Sequence, residues 1–291
     1  MHATRRLLAA ALLALVPLAA GCGDDFAPPS LLDDLRVLAL LAEPLEIGPD
    51  DEVRLHPAVY LPPGEALAGQ GWSFCPFDLG AQSGYACLAP ACELELPLEP
   101  DGATRARPLE LALECAQALA AGGEPPPGLP QEVPERIEVR FRYSVRTAAG
   151  DERQAVLRLP LWTQGPPPAP NQAPRLAGVE AAGLAVEPGT PLDPVQAGDE
   201  LELRVLVDED SLDAYLDEAG IARTEEPLVS FYATAGRFAW DRDVGTDVRV
   251  TWRAEELLPG QTEVALWFVI RDLRGGQAVS GPYLLPLLDP P

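Results

Sequence analysis

Ile137-Glu138-Val139-Arg140-Phe141-Arg142-Tyr143-Ser144-Val145-Arg146 alternates apolar and polar residues without a break. Successive side chains of a strand point to opposite faces, so this period of two puts Ile137, Val139, Phe141, Tyr143 and Val145 on one face. Ala148-Ala149-Gly150-Asp151 turns the chain and Val156 to Trp162 returns, which makes an antiparallel hairpin with one dry side. On its polar side Arg140, Arg142 and Arg146 form a basic stripe. It reads either as a solvated face opposite acidic neighbours or as a site for an anionic ligand.

Upstream, Leu35 to Leu40 reads as an opening strand ended by Glu43-Pro44. Gly48-Pro49-Asp50-Asp51 is a turn, after which Val53, Leu55 and Val59 share one face of a second strand. This order resembles strands A and B of bacterial immunoglobulin-like domains. Trp72 falls where such a domain keeps its core tryptophan on strand C. The resemblance implies a sandwich over residues 34–163 with an insertion at 76–134. The insertion carries Cys75 at its border, Cys87, Cys92 and Cys115, and a helix over Leu109 to Ala121 whose inner face would be Leu111, Cys115, Ala118 and Leu119. In an oxidising compartment four cysteines read as two disulfides. Of the three pairings, Cys75–Cys87 with Cys92–Cys115 is favoured. The rival, structural zinc, is poorly served: there is no CxxC pair, and His56 is the one histidine after the leader.

Gly165-Pro166-Pro167-Pro168-Ala169-Pro170-Asn171-Gln172-Ala173-Pro174 is the clearest boundary, a linker over 164–174. Its composition predicts a semi-rigid spacer of at most ~30 Å. Beyond it, residues 175–291 read as a second sandwich. Strand A is Arg175 to Glu180, B is Leu201 to Val207, C is Leu228 to Ala233, E is Val248 to Trp252, F is Val264 to Arg271 and G is Gln277 to Leu287. Strand F is apolar on both faces and so needs cover on both. Its end, Val269-Ile270-Arg271-Asp272-Leu273-Arg274-Gly275-Gly276, resembles the F–G corner of PKD and cadherin-like domains. The fold class expected is all-β: two immunoglobulin-like β-sandwiches in tandem, the first with a disulfide-stapled insertion containing a short helix.

Strand B runs into Asp208-Glu209-Asp210-Ser211, and the following loop adds Asp213, Asp217, Glu218, Glu225 and Glu226. In a Greek-key sandwich the B–C and F–G loops share an end, which would bring Asp272 towards Asp208 and Asp210. Several carboxylates there suit calcium, a hard cation with six to eight oxygen ligands. The other reading is an acidic loop capping strand ends. No other cofactor is expected.

The first 21 residues have Arg5 and Arg6 ahead of an apolar run, Leu7 to Leu18, too short to span a bilayer. Leu18-Ala19-Ala20-Gly21-Cys22 resembles the lipobox of bacterial lipoproteins, with Leu18 one place early. That resemblance implies cleavage before Cys22, its acylation, and a lipidated tether over 22–33. Two or three acyl chains anchor a protein stably where one does not. Gly23 stands where Asp would favour inner-membrane retention, so an outer-membrane, cell-envelope location is expected.

The 291 residues carry a formal charge of −24, and every basic residue is arginine. Such a chain repels nucleic acid and anionic lipid headgroups, and neither is expected as a partner. No GxSxG elbow, P-loop, HExxH or Rossmann fingerprint occurs. The expectation is a non-enzymatic lipid-anchored envelope protein, structural, adhesive or ligand-binding. Its partners would be the membrane through the anchor and a protein or glycan. The alternatives are an accessory subunit of an envelope or export assembly, and a carboxylate-dependent hydrolase.

Overall fold

The computed structural model describes residues 28–122, 132–216, 219–255, 257 and 259–288. The leader, Cys22, Asp217 and Glu218 lie outside the described residues. The chain is all-β, two immunoglobulin-like sandwiches in tandem. The first is built from β1 (Arg36–Glu43), β2 (Val53–Tyr60), β3 (Leu67–Cys75), β4 (Leu94–Leu96), β5 (Thr104–Ala106), β6 (Arg136–Thr147) and β7 (Glu152–Trp162). Its sheets run β1-β2-β5 and β4-β3-β6-β7, with every ladder antiparallel. Between them lie Trp72, Phe74, Val139, Phe141, Tyr143, Leu157 and Leu159. The face predicted to be dry is the buried one, because period two leaves the polar partners nowhere else to point.

The stretch 76–134 is more than an insertion. It supplies β4 to one sheet and β5 to the other, completing the sandwich. Its helix, Pro108–Gly122, starts on a proline whose missing N–H costs nothing at the first helical turn. Leu109, Leu111 and Ala112 rest on the sandwich core, while Cys115 and Leu119 pack with Ala89 and Cys92. Ala118, expected on the inner face, is exposed. The structure joins Cys75 to Cys87 and Cys92 to Cys115.

The second sandwich contains β8 (Leu176–Ala181), β9 (Leu184–Val186), β10 (Glu200–Val207), β11 (Ala214–Leu216), β12 (Ala222–Thr224), β13 (Leu228–Ala233), β14 (Arg237–Phe238), β15 (Arg242–Val244), β16 (Asp247–Arg253), β17 (Glu263–Arg271) and β18 (Gln277–Pro286). Its sheets run β14-β16-β10-β8-β9 and β15-β13-β17-β18, and the short hairpin β11-β12 stands apart. Val205, Phe231, Trp252, Leu266, Phe268 and Tyr283 fill the core.

The modules do not follow one another along a spacer. They lie side by side, and the outer face of β1-β2 covers the outer face of β13-β17-β18. Leu32, Leu38, Ala39, Tyr60 and Val269 are buried in that seam, with Leu41, Tyr232, Trp267 and Val279 against them. Tyr60 and Trp267 meet edge to face at 5.4 Å. This answers the two-faced strand. In β17, Leu266, Phe268 and Ile270 face their own core, while Trp267 and Val269 face the neighbouring module. A bulge at Leu38 in β1 turns two successive residues, Leu38 and Ala39, towards the seam. A second irregularity lies between Leu266 and Phe268, opposite Gly281. Gly281 has φ 133°, and a Cβ there would stand 2.7 Å from Trp267 Cδ1, so only glycine lets Trp267 swing to Tyr60. The linker folds over this body: Asn171 is buried and Ala173 packs on the first core.

A buried seam predicts coupled melting. Calorimetry of the chain should give one unfolding transition. Val269→Asp puts an unpaired carboxylate into the dry seam, should cost several kcal/mol, and should separate the modules into two transitions.

Candidate functional site

The richest polar site is the corner after β17, where three parts of the chain meet. Asp272 Oδ1 accepts from the backbone N–H of Arg274 at 2.7 Å and of Gly276 at 2.8 Å. Its Oδ2 accepts from Asn171 Nδ2, in the linker, at 2.8 Å. A Cβ on Gly276 would overlap that carboxylate and come within 2.9 Å of Leu45 in the first module. The corner closes only because the residue there has no side chain.

The turn throws Arg274 back over the joint. Its Nη1 donates to Glu225 Oε1 at 2.7 Å and to Asn171 Oδ1 at 3.0 Å, its Nη2 lies 3.7 Å from Glu46 of the first module, and its guanidinium stacks on Tyr215. Glu46 also accepts from Trp162 Nε1 at 3.1 Å. Nearby, Arg271 Nη2 donates to the Leu38 carbonyl at 2.8 Å across the seam. Burial pushes the Glu225 carboxyl above its ordinary value. The bond from the Asp213 N–H opposes this, the Asp272 charge adds to it, and Arg274 opposes it.

The structure does not bring Asp208, Asp210 and Asp272 together. Asp272 is buried and spends both oxygens on protein donors. Asp208 accepts from Arg175 Nη2 at 2.6 Å and Nε at 3.0 Å, and caps the turn through the Asp210 N–H, which together hold it below the usual carboxylate range. Asp210 is exposed. Among the described residues, the one group of three ligand-type side chains close enough to share an ion is Cys75, Cys87 and Glu93, and both its sulfurs are in a disulfide. At the joint, where a cation would neutralise the carboxylates, the charge comes from Arg274.

The basic stripe is likewise divided. Arg140 is fully buried: it sits opposite Cys75 in the ladder, donates to the Tyr85 carbonyl at 2.6 Å and pairs with Glu93. Arg142 donates to the same carbonyl at 3.1 Å. Both arginines therefore fasten the Cys75–Cys87 loop to the sheet. Arg146 stays exposed beside a glycine-floored trough of about 620 Å³ over Gly69 and Gly71. Burial would raise the Glu93 carboxyl, but bonds from Ser73 and Arg140 and the charges of Arg140 and Arg142 outweigh it and hold it low. A second cleft, about 680 Å³, lies where the linker crosses β1 and β2. His56 lines it, with Nδ1 buried and unpartnered and Nε2 4.0 Å from Asp101.

Sequence reasoning missed Arg274, Glu225 and Glu46 as one unit. The legible signal was an arginine two residues past the corner aspartate, within an otherwise acidic loop end.

No family model matches the chain, and no curated protein matches it. Solved structures similar to it include the D00–D0 domain of intimin, 12% identical over 86% of this chain and 100% of that one, with a TM-score of 0.25. The fibronectin(III)-like modules of Clostridium thermocellum CbhA are 7% identical over 86% of this chain and 93% of theirs, at 0.23. A 1.5-MDa bacterial ice-binding adhesin is 12% identical over 88% of this chain and 66% of its own, at 0.22.

Two outcomes are expected. Arg274→Ala leaves the fully buried Glu225 side chain without its cation and should lower stability by about 3 kcal/mol in denaturant titration. Glu93, whose folded value is depressed, contributes stability that is full above the ordinary glutamate value and is lost as pH falls through the folded value. Replacing it with glutamine should therefore flatten the acid limb of the melting curve as pH falls below the ordinary glutamate range.

Proposed function

We propose that the chain is a non-enzymatic, lipid-anchored protein of the cell envelope that serves as a rigid structural or adhesive element. The observation that carries this reading is the seam. Two sandwiches are fixed face to face by an apolar layer and by the Arg274 clamp, so the pair holds one shape. The carboxylates clustered at this end, Asp272, Glu225 and Glu46, are engaged with Arg274, Asn171, Trp162 and backbone N–H groups. Anchoring rests on the lipobox resemblance at Cys22, and the preference for the outer membrane rests on Gly23.

Expression with labelled fatty acid tests the anchor. The wild-type chain should incorporate label, accumulate as a precursor under globomycin and fractionate with membranes. Cys22→Ala should appear unlabelled. A processed wild-type chain that is soluble and unlabelled would end the anchoring reading.

A further inference from the structure

A bare sheet edge presents a row of unpaired N–H and C=O groups on which another strand can pair. Most edges of this chain are blunted. Strands β4, β5, β9 and β15 have three residues each and β14 has two. A bulge breaks β1, and Pro191 lies along β18. Where β15 stops, the start of the described chain covers β13. Leu32 N–H donates to the Ala233 carbonyl at 2.8 Å, and Ala233 N–H donates to the Ser30 carbonyl at 2.9 Å.

Strand β7 is the exception. Its 11 residues keep an unbroken register against β6. At the two ends of that ladder Thr147 N–H donates to the Asp151 carbonyl and Thr163 N–H to the Glu135 carbonyl, both at 2.9 Å, so the odd-numbered residues of β7 bond to β6. The even-numbered residues point outwards. Ile47 occupies two of them: its N–H donates to the Pro160 carbonyl at 3.0 Å, and its carbonyl accepts from Trp162 N–H at 2.8 Å. Among the described residues, the main-chain groups of Gln154, Val156 and Arg158 have no partner. That half has neither a proline nor a bulge to blunt it. The Glu152 carbonyl is held by Arg153 Nη1 at 2.9 Å, which confines any further ladder to the residues after it.

The bare segment fits itself. Turned antiparallel about Ala155, it sets Gln154 opposite Val156 of the second copy, with the outward N–H and C=O groups of both facing each other. The same register sets Glu152 opposite Arg158 of the second copy, once on each side of the axis. Both side chains are exposed. Local charge permits the meeting. The arginines of β6-β7 balance the hairpin's own carboxylates and the loop carboxylates paired to them, Asp34, Asp78 and Glu93. Two chains of net charge −24 repel least across such a neutral edge.

We propose that the bare half of β7 is a self-association edge, on which a second copy of the chain pairs antiparallel about a two-fold axis at Ala155. The outer sheets β4-β3-β6-β7 of the two copies then join into one continuous sheet. This inference goes beyond the envelope reading and needs no acyl group.

The chain from residue 22 on, carrying Cys22→Ala, holds the whole described fold and no cysteine outside the two disulfides. In sedimentation velocity it should pass from monomer to dimer as concentration rises. Val156→Pro removes an N–H that bonds nothing within the chain, so it should melt close to the parent and weaken the dimer about tenfold. Glu152→Arg, on the exposed face, should weaken it too. Ala155→Cys should close a disulfide between two copies under mild oxidation, because opposed residues of a non-hydrogen-bonded pair have Cα atoms about 4.5 Å apart. A parent chain still monomeric at about 1 mM overturns the proposal. So does a dimer that Glu152→Arg leaves intact and Ala155→Cys does not cross-link, whether or not Val156→Pro folds.

Discussion

Strand β17 carries apolar side chains on both of its faces, and the architecture follows from having to cover both. Leu266, Phe268 and Ile270 are satisfied by their own sandwich. Trp267 and Val269 are not, and a lone module would leave them in water at about 25 cal/mol for each Å² of apolar surface. The first module supplies the cover with Leu38, Ala39 and Tyr60. The result is four stacked sheets rather than two beads. The Pro-rich linker, stiff by composition, here crosses a joint that is already closed.

With the seam set, the polar residues around it have little choice. Glu225 and Asp272 are buried and each needs donors, because an unpaired buried charge costs several kcal/mol. Arg274, Asn171 and the turn N–H groups meet that need. The same logic recurs at the far sheet, where buried Arg140 is matched by Glu93 and the Tyr85 carbonyl. In both places the arginine comes from a regular or tightly turned element. Its acceptors come from loops, so the cation organises irregular chain around a rigid frame.

Much of the sandwich could be read from pattern. The hairpin β6-β7 and strands β10 and β17 have long runs of period two, and their faces came out as that period requires. Strands β4 and β5 were hidden because three residues are too few to display a period, and they sit among prolines and cysteines. The seam was half legible. The surplus apolar face of β17 announced a partner, but β1 reaches it only through a bulge, and a bulge leaves no mark in alternation. The partners of the acidic corner were not legible for a different reason. Composition records carboxylates but not which donors they accept from, and Asp272 looks the same on paper whether it meets Asn171 or a metal.

The mooring of Ser30 and Leu32 to Ala233 joins positions some 200 residues apart, a contact of very high sequence separation. In a chain that emerges from its amino end, that end cannot be finished until strand β13 has been delivered and paired. Before then, the outer face of β1-β2 has no cover, and Leu38 and Tyr60 are open to the wrong neighbours. The segment made first is therefore completed among the last, and the interval between the two is when the chain is most exposed to misassembly.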